Sequence, residues 1–146
     1  MKKNSFFTLG NLKFILVLTI FLPLRSIFPS EAAGQTDESG IYIAVDEMPT
    51  FPGGLAELGK YLGKNIHYPV AAKENGIQGK VIVKFCVTAQ GSLTKFSVLK
   101  SVDPDLDKEA LRVVQTITSF TPGKKDGVPV PVWYMVPITF SIKNTN

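Results

Sequence analysis

The feature that most constrains this fold is a period-two pattern in Gly79–Ser101, which predicts a β-hairpin. Apolar residues occupy every second position of the first arm, at Val81, Val83, Phe85 and Val87. This spacing is typical of a strand with one buried face. Gly91 can adopt the positive φ of a tight turn, and Leu93–Ser101 then resumes a strand pattern. One face of the hairpin is therefore apolar, and another element must cover it.

The covering element is predicted directly after the hairpin. Asp103 can cap a helix, and Pro104 suits the first helical position because the N–H at that position has no partner within the helix. An apolar stripe at helical spacing follows, formed by Leu106, Ala110, Val113, Val114 and Ile117. A helix on the apolar face of a hairpin predicts an α+β fold.

Two short helices are predicted before the hairpin. Leu55, Leu58 and Leu62 lie at helical spacing, although Gly59 weakens this helix and Gly63 should end it. A second short helix is predicted over residues 69–75, because a proline begins this stretch and a glycine follows it. Earlier still, residues 41–45 form a short β-type run that suggests an additional edge strand.

A third strand is predicted at the end of the chain. Val130–Ile142 is rich in aromatic and β-branched residues. Because Pro131 and Pro137 cannot donate hydrogen bonds to a neighbouring strand, we place this strand at a sheet edge. The predicted fold is thus α+β, with about three antiparallel strands, one main helix packed on one face, and short N-terminal helices.

The first 32 residues have the layout of an export signal. Three lysines precede an uncharged apolar run, Phe14–Leu24, and small residues fit cleavage after Ala32. The alternative is an uncleaved anchor over residues 6–24, interrupted only by Lys13. We therefore divide the chain into residues 1–32 as a signal peptide or short membrane anchor, residues 33–54 as a linker and turn-rich segment, and residues 55–146 as the domain.

Composition narrows the classes of function. The chain has 146 residues, of which 45% are hydrophobic and 19% charged, enough for one packed domain after the leader. Its net charge of +4 falls to about +1 without residues 1–32, which carry four Lys or Arg residues and one Glu. The basic balance therefore belongs to the leader, and we expect no nucleic-acid partner.

Motifs for catalysis, metals or cofactors are missing from the sequence. His67 is the only histidine and Cys86 the only cysteine, and they lie in different predicted elements. Helix capping explains the acidic residues around Asp103–Glu109, which lack the ligand spacing of a calcium loop. A Gly-rich phosphate loop after a strand is also missing. We expect a binding module rather than an enzyme, without a metal or cofactor.

Several stretches in family order over Tyr68–Phe140 resemble the C-terminal domain of the TonB family of energy-transducing proteins. The stretches are Tyr68-Pro69, Gly76–Phe85, Gly91, Ser101–Pro104, Leu106–Val114, Phe120–Lys124, Gly127–Val130 and Val136–Phe140. In addition, Met48–Gly54 resembles the segment that precedes this domain in members of the Bacteroidetes type. The resemblance covers about half of the chain and implies the fold of that domain.

The resemblance also implies a function. Such domains act in the periplasm, where they bind the N-terminal segment and plug of outer-membrane TonB-dependent receptors during energy-coupled transport. A proton-driven motor in the inner membrane would supply force if the leader anchors the chain. An edge strand can bind an extended peptide by strand addition. The implied partner-binding residues are Tyr68, Pro69, Val130, Val132, Trp133, Tyr134, Met135, Val136 and Ile138. Since Trp133 and Tyr134 alternate faces, we expect at least one of them to pack in the core.

Two departures from the family pattern leave an alternative open. Full-length transducers carry a long Pro-rich spacer, whereas only a short segment here separates the leader from Met48–Gly54. The apolar leader is also short for a membrane anchor. The alternative is a secreted periplasmic interaction or structural domain that reuses the fold without transmitting force. An open edge strand could also pair with a second copy of the chain and form a homodimer.

Overall fold

The computed structural model describes residues 35–143, so the predicted leader, residues 1–32, lies outside the described residues. The helices are α1 (Gly54–Asn65), α2 (Val70–Glu74) and α3 (Pro104–Gln115). The strands are β1 (Gly79–Val87), β2 (Leu93–Lys100), β3 (Lys124–Lys125), β4 (Val128–Pro129) and β5 (Val132–Phe140). None of the helices in this described part is long and apolar enough to cross a membrane.

The main sheet has three antiparallel strands in the order β2-β1-β5, which confirms the predicted hairpin and the position of the third strand at a sheet edge. Gly91 turns the hairpin with φ 83°. A Cβ atom at Gly91 would lie 2.2 Å from the carbonyl oxygen of Phe120, so only glycine fits this position. The turn is therefore fixed by its conformation and also by a close backbone approach.

Helix α3 covers the inner face of the sheet, as its sequence pattern predicts. The Asp103 side chain accepts hydrogen bonds from the N–H groups of Asp105 (2.9 Å) and Leu106 (3.4 Å), which satisfies two donors of the first turn. The core against the sheet is formed by buried residues of α3, its C-terminal flank and β1: Leu106, Ala110, Val113, Val114, Ile117, Val81, Val83, Phe85 and Val87. The α+β prediction is thus confirmed.

Two predicted elements, helix α1 and the third strand, have different ends in the structure. Leu58 and Leu62 of α1 are buried, but Leu55 in its first turn is 74% exposed and does not extend the apolar stripe. Helix α1 also continues past Gly63, because Ile66 N–H still donates to the Leu62 carbonyl at 2.9 Å. The third strand begins at Val132 instead of Val130, since Val130 N–H donates to the Gly123 carbonyl at 3.0 Å.

The segment before α1, which the sequence suggested to be a linker, makes backbone hydrogen bonds to the folded domain. Glu47 exchanges a pair of hydrogen bonds with Lys124 (2.8 and 3.1 Å), and Thr50 does the same with Thr121 (2.8 and 3.1 Å). Pro49 lies between these pairs and is fully buried. The segment therefore lies along the loop that leads into β5.

Candidate functional site

Strand β5 has one edge that is not paired with β1. Trp133 N–H donates to the Tyr42 carbonyl at 2.8 Å, so the backbone polar groups of Trp133 point away from β1. Successive residues of a strand point these groups in opposite directions. Because the β1–β5 register is continuous, the backbone polar groups of Met135, Pro137 and Thr139 must also point outward, away from β1. Pro137, which has no N–H to donate, thus lies where the ladder does not need one.

The beginning of this edge, Val132 and Trp133, is already occupied, and we call it the covered end. Tyr42 pairs with Val132 in a parallel bridge, in which Tyr42 N–H donates to the Pro131 carbonyl at 3.0 Å. Ile41 beside it is buried. A short strand was predicted over residues 41–45. In the structure this stretch pairs with β5 through the single bridge at Tyr42. A new strand could add to the covered end only by displacing Tyr42.

The Trp133 side chain is also held at the covered end. Its indole Nε1–H donates to Asp37 Oδ2 at 2.7 Å, and Lys84 Nζ lies 4.0 Å from the ring centroid. Asp37 accepts further hydrogen bonds from Ser39 and from the Ile41 N–H. The hydroxyl of Ser39 and the indole of Trp133 hold the pKa of Asp37 well below its usual range. The carboxylate is therefore charged at neutral pH and fixes the N-terminal turn to the indole.

The rest of the edge, Met135–Thr139, is not paired with any other part of the described chain, and we call it the open end. Within residues 35–143 the outward backbone groups of Met135, Pro137 and Thr139 have no hydrogen-bond partner. These groups comprise the N–H and C=O of Met135, the C=O of Pro137, and the N–H and C=O of Thr139. The Met135 side chain is 55% exposed. The open end therefore offers donors and acceptors at strand spacing.

Four of the six predicted contact residues on β5 face the core. Val132, Val136 and Ile138 are buried, and their backbone polar groups point toward β1. Tyr134 packs its ring against Phe85 and Phe120, at centroid distances of 5.6 and 5.2 Å. Burial raises the pKa of Tyr134 above its ordinary value. A partner on the outer edge would therefore not touch these four side chains directly.

The predicted Tyr68-Pro69 corner lies next to the open end. The ring of Tyr68 packs edge-on against Phe140 at 5.7 Å, and its hydroxyl donates to the Ile77 carbonyl. Pro69 precedes the first residue of α2. Tyr68 also lines a groove of about 480 Å³, together with Gly63, Ile66, Lys73, Thr139, Phe140, Ser141, Ile142 and Lys143. Val130, by contrast, lies before β5 and does not line this groove.

This groove continues between α1 and β5. Gly63, Ile66 and Thr139 also border a smaller cavity of about 180 Å³, which Gly59, Leu62, Pro137 and Ile138 complete. The sequence interpretation did not anticipate this groove, because it took Gly59 and Gly63 only as weak points of a helix. The sequence did contain one signal for the groove, because a spacing of four residues places both glycines on one face of the helix.

The sequence interpretation also missed two folded features near the covered end. Asp126 and Gly127 adopt φ values of 51° and 76° and connect β3 to β4 as a tight hairpin. An Asp-Gly pair is a common sequence signal for such a turn. The Asp126 N–H donates to Asp46 Oδ2 at 2.9 Å, which ties the hairpin to the N-terminal segment.

Other side chains that could in principle carry out chemistry are held in structural contacts or are buried. Burial raises the pKa of the Cys86 thiol, which disfavours the reactive thiolate. Glu109 accepts hydrogen bonds from Arg112 (2.6 and 2.8 Å) and from the His67 N–H (2.7 Å), and Arg112 lowers the pKa of Glu109. Among residues 35–143 no group of three or more His, Cys, Asp or Glu side chains is placed to hold a metal ion.

Known proteins match the part of the chain that carries these features. Two curated relatives are "Protein TonB" of Helicobacter pylori strain 26695, 34% identical over 77 residues, and "Protein TonB" of Vibrio cholerae, 35% identical over 77 residues. Each alignment covers 52% of this chain but only 26% and 31% of the relatives, so the chain spans about a quarter to a third of their length.

Solved structures of similar sequence include two isolated domains. A solution structure of the Helicobacter pylori TonB C-terminal domain is 26% identical, covers 62% of this chain and 96% of that one, and has a TM-score of 0.49. The Pseudomonas aeruginosa TonB C-terminal domain is 27% identical, covers 56% and 82%, and has a TM-score of 0.43. The family described as Gram-negative bacterial TonB protein C-terminal matches residues 64–142. Since this match spans more than half of the chain, the protein belongs to the TonB C-terminal domain family.

Proposed function

We propose that this domain binds the N-terminal segment of outer-membrane TonB-dependent receptors and takes part in energy-coupled transport across the outer membrane. Membership of the TonB C-terminal family supports the general role. The observation that carries the binding mode is the row of unpaired outward backbone groups at the open end, Met135–Thr139. An extended peptide can satisfy these groups by adding one strand to the sheet.

The contact residues follow from the same edge. Met135 presents its backbone and its exposed side chain to the peptide, while Tyr68 and Pro69 flank the far end of the groove. Trp133 and Tyr134 contribute differently from their neighbours: Trp133 orders the covered end, and Tyr134 supports β5 from the core. Val132, Val136 and Ile138 support the strand in the same way, and Val130 connects it to the preceding hairpin.

The affinity should be modest. A flexible peptide loses backbone freedom that is worth about 1 kcal/mol or more per residue when it joins a strand. The few hydrogen bonds at the open end offset this cost only in part, because each contributes roughly 1 kcal/mol net. We therefore expect a dissociation constant of roughly micromolar order. Such an affinity suits a partner that must release the receptor.

The domain acts in the periplasm, and the leader decides its mechanical role. An uncleaved leader would connect the domain to a proton-driven motor in the inner membrane and allow it to transmit force. A cleaved leader would leave a soluble domain that binds receptors or other envelope proteins without transmitting force. Mass spectrometry of the mature N-terminus, isolated from cells, separates these two forms.

The experiment that tests receptor binding is a titration of the full chain in mild detergent with peptides from the N-terminal segments of receptors of the same cell. Trp133 is the only tryptophan, so its emission reports the edge of the sheet directly. Each peptide has a scrambled control of equal composition. Saturable binding that the scrambled peptide lacks supports the proposal. No binding by any receptor peptide, to a chain with native circular dichroism, overturns it.

A further inference from the structure

The side of the main sheet that faces away from α3 combines positive charge with apolar side chains. We call this side the outer face; it is centred on Lys84, which is surrounded by Lys80, Lys100, Ile82, Trp133 and Met135. We propose that the outer face docks onto the surface of a bilayer that contains anionic phospholipids. This proposal does not depend on receptor binding, which uses the outward backbone groups at the edge of β5.

The register of the sheet places these side chains on one face. Buried core residues of β1 alternate with Lys80, Ile82 and Lys84, whose side chains therefore point to the outer face. Residues that lie directly opposite each other in neighbouring strands share a face. Lys84 is paired with Met135 of β5, and Ile82 is paired with Lys100 of β2. The outer face therefore extends over all three strands.

In the described part of the chain, none of the helices covers the outer face. All three contribute their buried residues, among them Leu58, Ala72 and Leu106, to the core on the inner face. Met135 is accordingly 55% exposed, and Ile82 is only half-buried. Apolar side chains that are exposed together mark a surface that a partner can cover.

The charge of the three strands has a single sign. Strands β1, β2 and β5 contain no acidic residue but four lysines: Lys80, Lys84, Lys95 and Lys100. Over the range 35–143 none of these lysines makes an ion pair. On the other side of the sheet, four acidic residues lie between positions 103 and 109, at the start of α3. This separation of charge would orient the sheet toward an anionic surface.

The spacing of the lysines favours a layer of charges over a single small anion. Lys80 and Lys84 lie four residues apart in one extended strand, a distance of about 13 Å. One phosphate or carboxylate cannot contact both ammonium groups, whereas a layer of anionic headgroups can. Lysines close to such a layer are attracted to it, and their contributions add.

The apolar residues of the outer face favour a lipid layer. Trp133 has an apolar ring and a polar Nε1–H, and tryptophan is enriched where a membrane meets water. Lys84 Nζ lies 4.0 Å from the centroid of this ring, so a positive charge accompanies it. The apolar stem of a lysine can lie along such a surface while its ammonium group reaches a phosphate. Met135 and Ile82 add apolar area beside this pair.

The chain also enters the domain beside the outer face. Asp37, near the beginning of the described residues, accepts the hydrogen bond from the Trp133 indole. An anchor over residues 6–24 would leave a connection to Asp37 that spans at most about 40 Å when fully extended. Such an anchor would hold the outer face close to the bilayer, where a weak attraction is sufficient for docking.

The test reconstitutes the full chain into vesicles with a nitroxide label on the headgroup of a small, constant fraction of the lipid. One set is made of phosphatidylcholine, and the other contains roughly one third phosphatidylglycerol. Trp133 is the only tryptophan, so its quenching by the label reports the position of the outer face and not that of the leader. We expect at least twofold stronger quenching in the anionic vesicles. This difference should disappear in about 1 M salt, where the Debye length is about 3 Å.

Paired charge variants locate the docking surface. Lys80→Glu combined with Lys100→Glu reverses two charges of the outer face and leaves the contact between Lys84 and Trp133 in place. This variant should show the same quenching in anionic as in zwitterionic vesicles. The control combines Lys64→Glu on α1 with Lys108→Glu on α3, which changes the net charge equally and should retain the strong quenching. Circular dichroism verifies that both variants are folded.

The other outcomes overturn the proposal. Equal quenching of the unmodified chain in the two kinds of vesicle would show that the outer face does not recognise anionic lipid. An equal loss in both charge variants would show that only net charge matters. If soluble polyglutamate shields Trp133 from acrylamide while neither kind of vesicle quenches it, the partner is an acidic protein instead of a lipid surface.

Discussion

The two ends of the β5 edge have the same backbone geometry but different surroundings. At the covered end, Tyr42 pairs with Val132, and Asp37 binds the indole of Trp133. At the open end, the outward groups of Met135 and Thr139 have no partner among residues 35–143. The comparison teaches that a strand edge stays available for strand addition only where the chain itself does not occupy it.

The difference also gives the two ends of β5 different roles. The covered end aligns β5 and protects part of an edge that would otherwise invite edge-to-edge association. The open end is short, and Pro137 removes one donor from it. We expect a short edge with a missing donor to bind an extended peptide weakly and to disfavour longer strand pairing between copies of the domain.

Among side-chain truncations, the largest expected effect contrasts one buried and one exposed residue. Ile41→Ala at the covered end should lower the free energy of unfolding by about 2 kcal/mol or more, because Ile41 is 5% exposed. Met135→Ala at the open end should change it by less than about 0.5 kcal/mol. Urea unfolding monitored by circular dichroism measures both variants. Equal effects would show that the covered end is no better packed than the open end.

The next effect concerns binding. Met135→Pro removes an outward N–H and should weaken receptor-peptide binding by about tenfold, or roughly 1.4 kcal/mol, with the fold retained. Val136→Pro removes an N–H that points toward β1 and should unfold the domain instead. Peptide titration and circular dichroism distinguish the two results. A folded Val136→Pro variant would contradict the assignment of inward and outward groups.

A smaller effect in the opposite direction is expected for Gly59→Ala. The added methyl group meets no neighbour within 4 Å, and alanine favours the helix, so the free energy of unfolding should rise by about 0.5–1 kcal/mol. Thermal unfolding measures this rise. A loss of stability would mean that the groove beside α1 is not open at this position.

The smallest effect is a change in Trp133 emission with pH. Hydrogen bonds from Ser39 and Trp133 lower the folded pKa of Asp37, so its contribution to stability is complete above the unfolded value, about 3.9, and is lost as pH falls through the lower folded value. Emission should therefore stay constant from pH 7 to about 4 and change only below. Asp37→Asn should remove this acid transition, and a transition near pH 5 would contradict the assignment.

Much of the fold could be predicted because its signals are local. The alternation of Val81–Val87, the turn at Gly91 and the cap at Asp103 each act within a few residues, and all three are present in the structure. The edge position of the third strand followed from Pro131 and Pro137, because a missing N–H is tolerated only where no strand needs it. Family membership could be recognised from the same stretches.

The candidate site could be predicted only in part. The strand that carries it was identified, but the six candidate residues on β5 divide between core and surface according to a register that depends on β1. Tyr42 and Asp37 were not expected to contact β5, because these contacts join residues about 90 positions apart in the chain. Distant contacts of this kind leave no periodic pattern in a sequence.

The sequence by itself determined the hairpin, the main helix and the α+β class, because spacing and capping act over short distances along the chain. Only the tertiary structure decided which end of β5 is covered and where a groove beside α1 remains open. Gly59 and Gly63 illustrate the reason. Within the sequence they are weak helix residues, whereas their position opposite Pro137 and Thr139 makes them the floor of a groove.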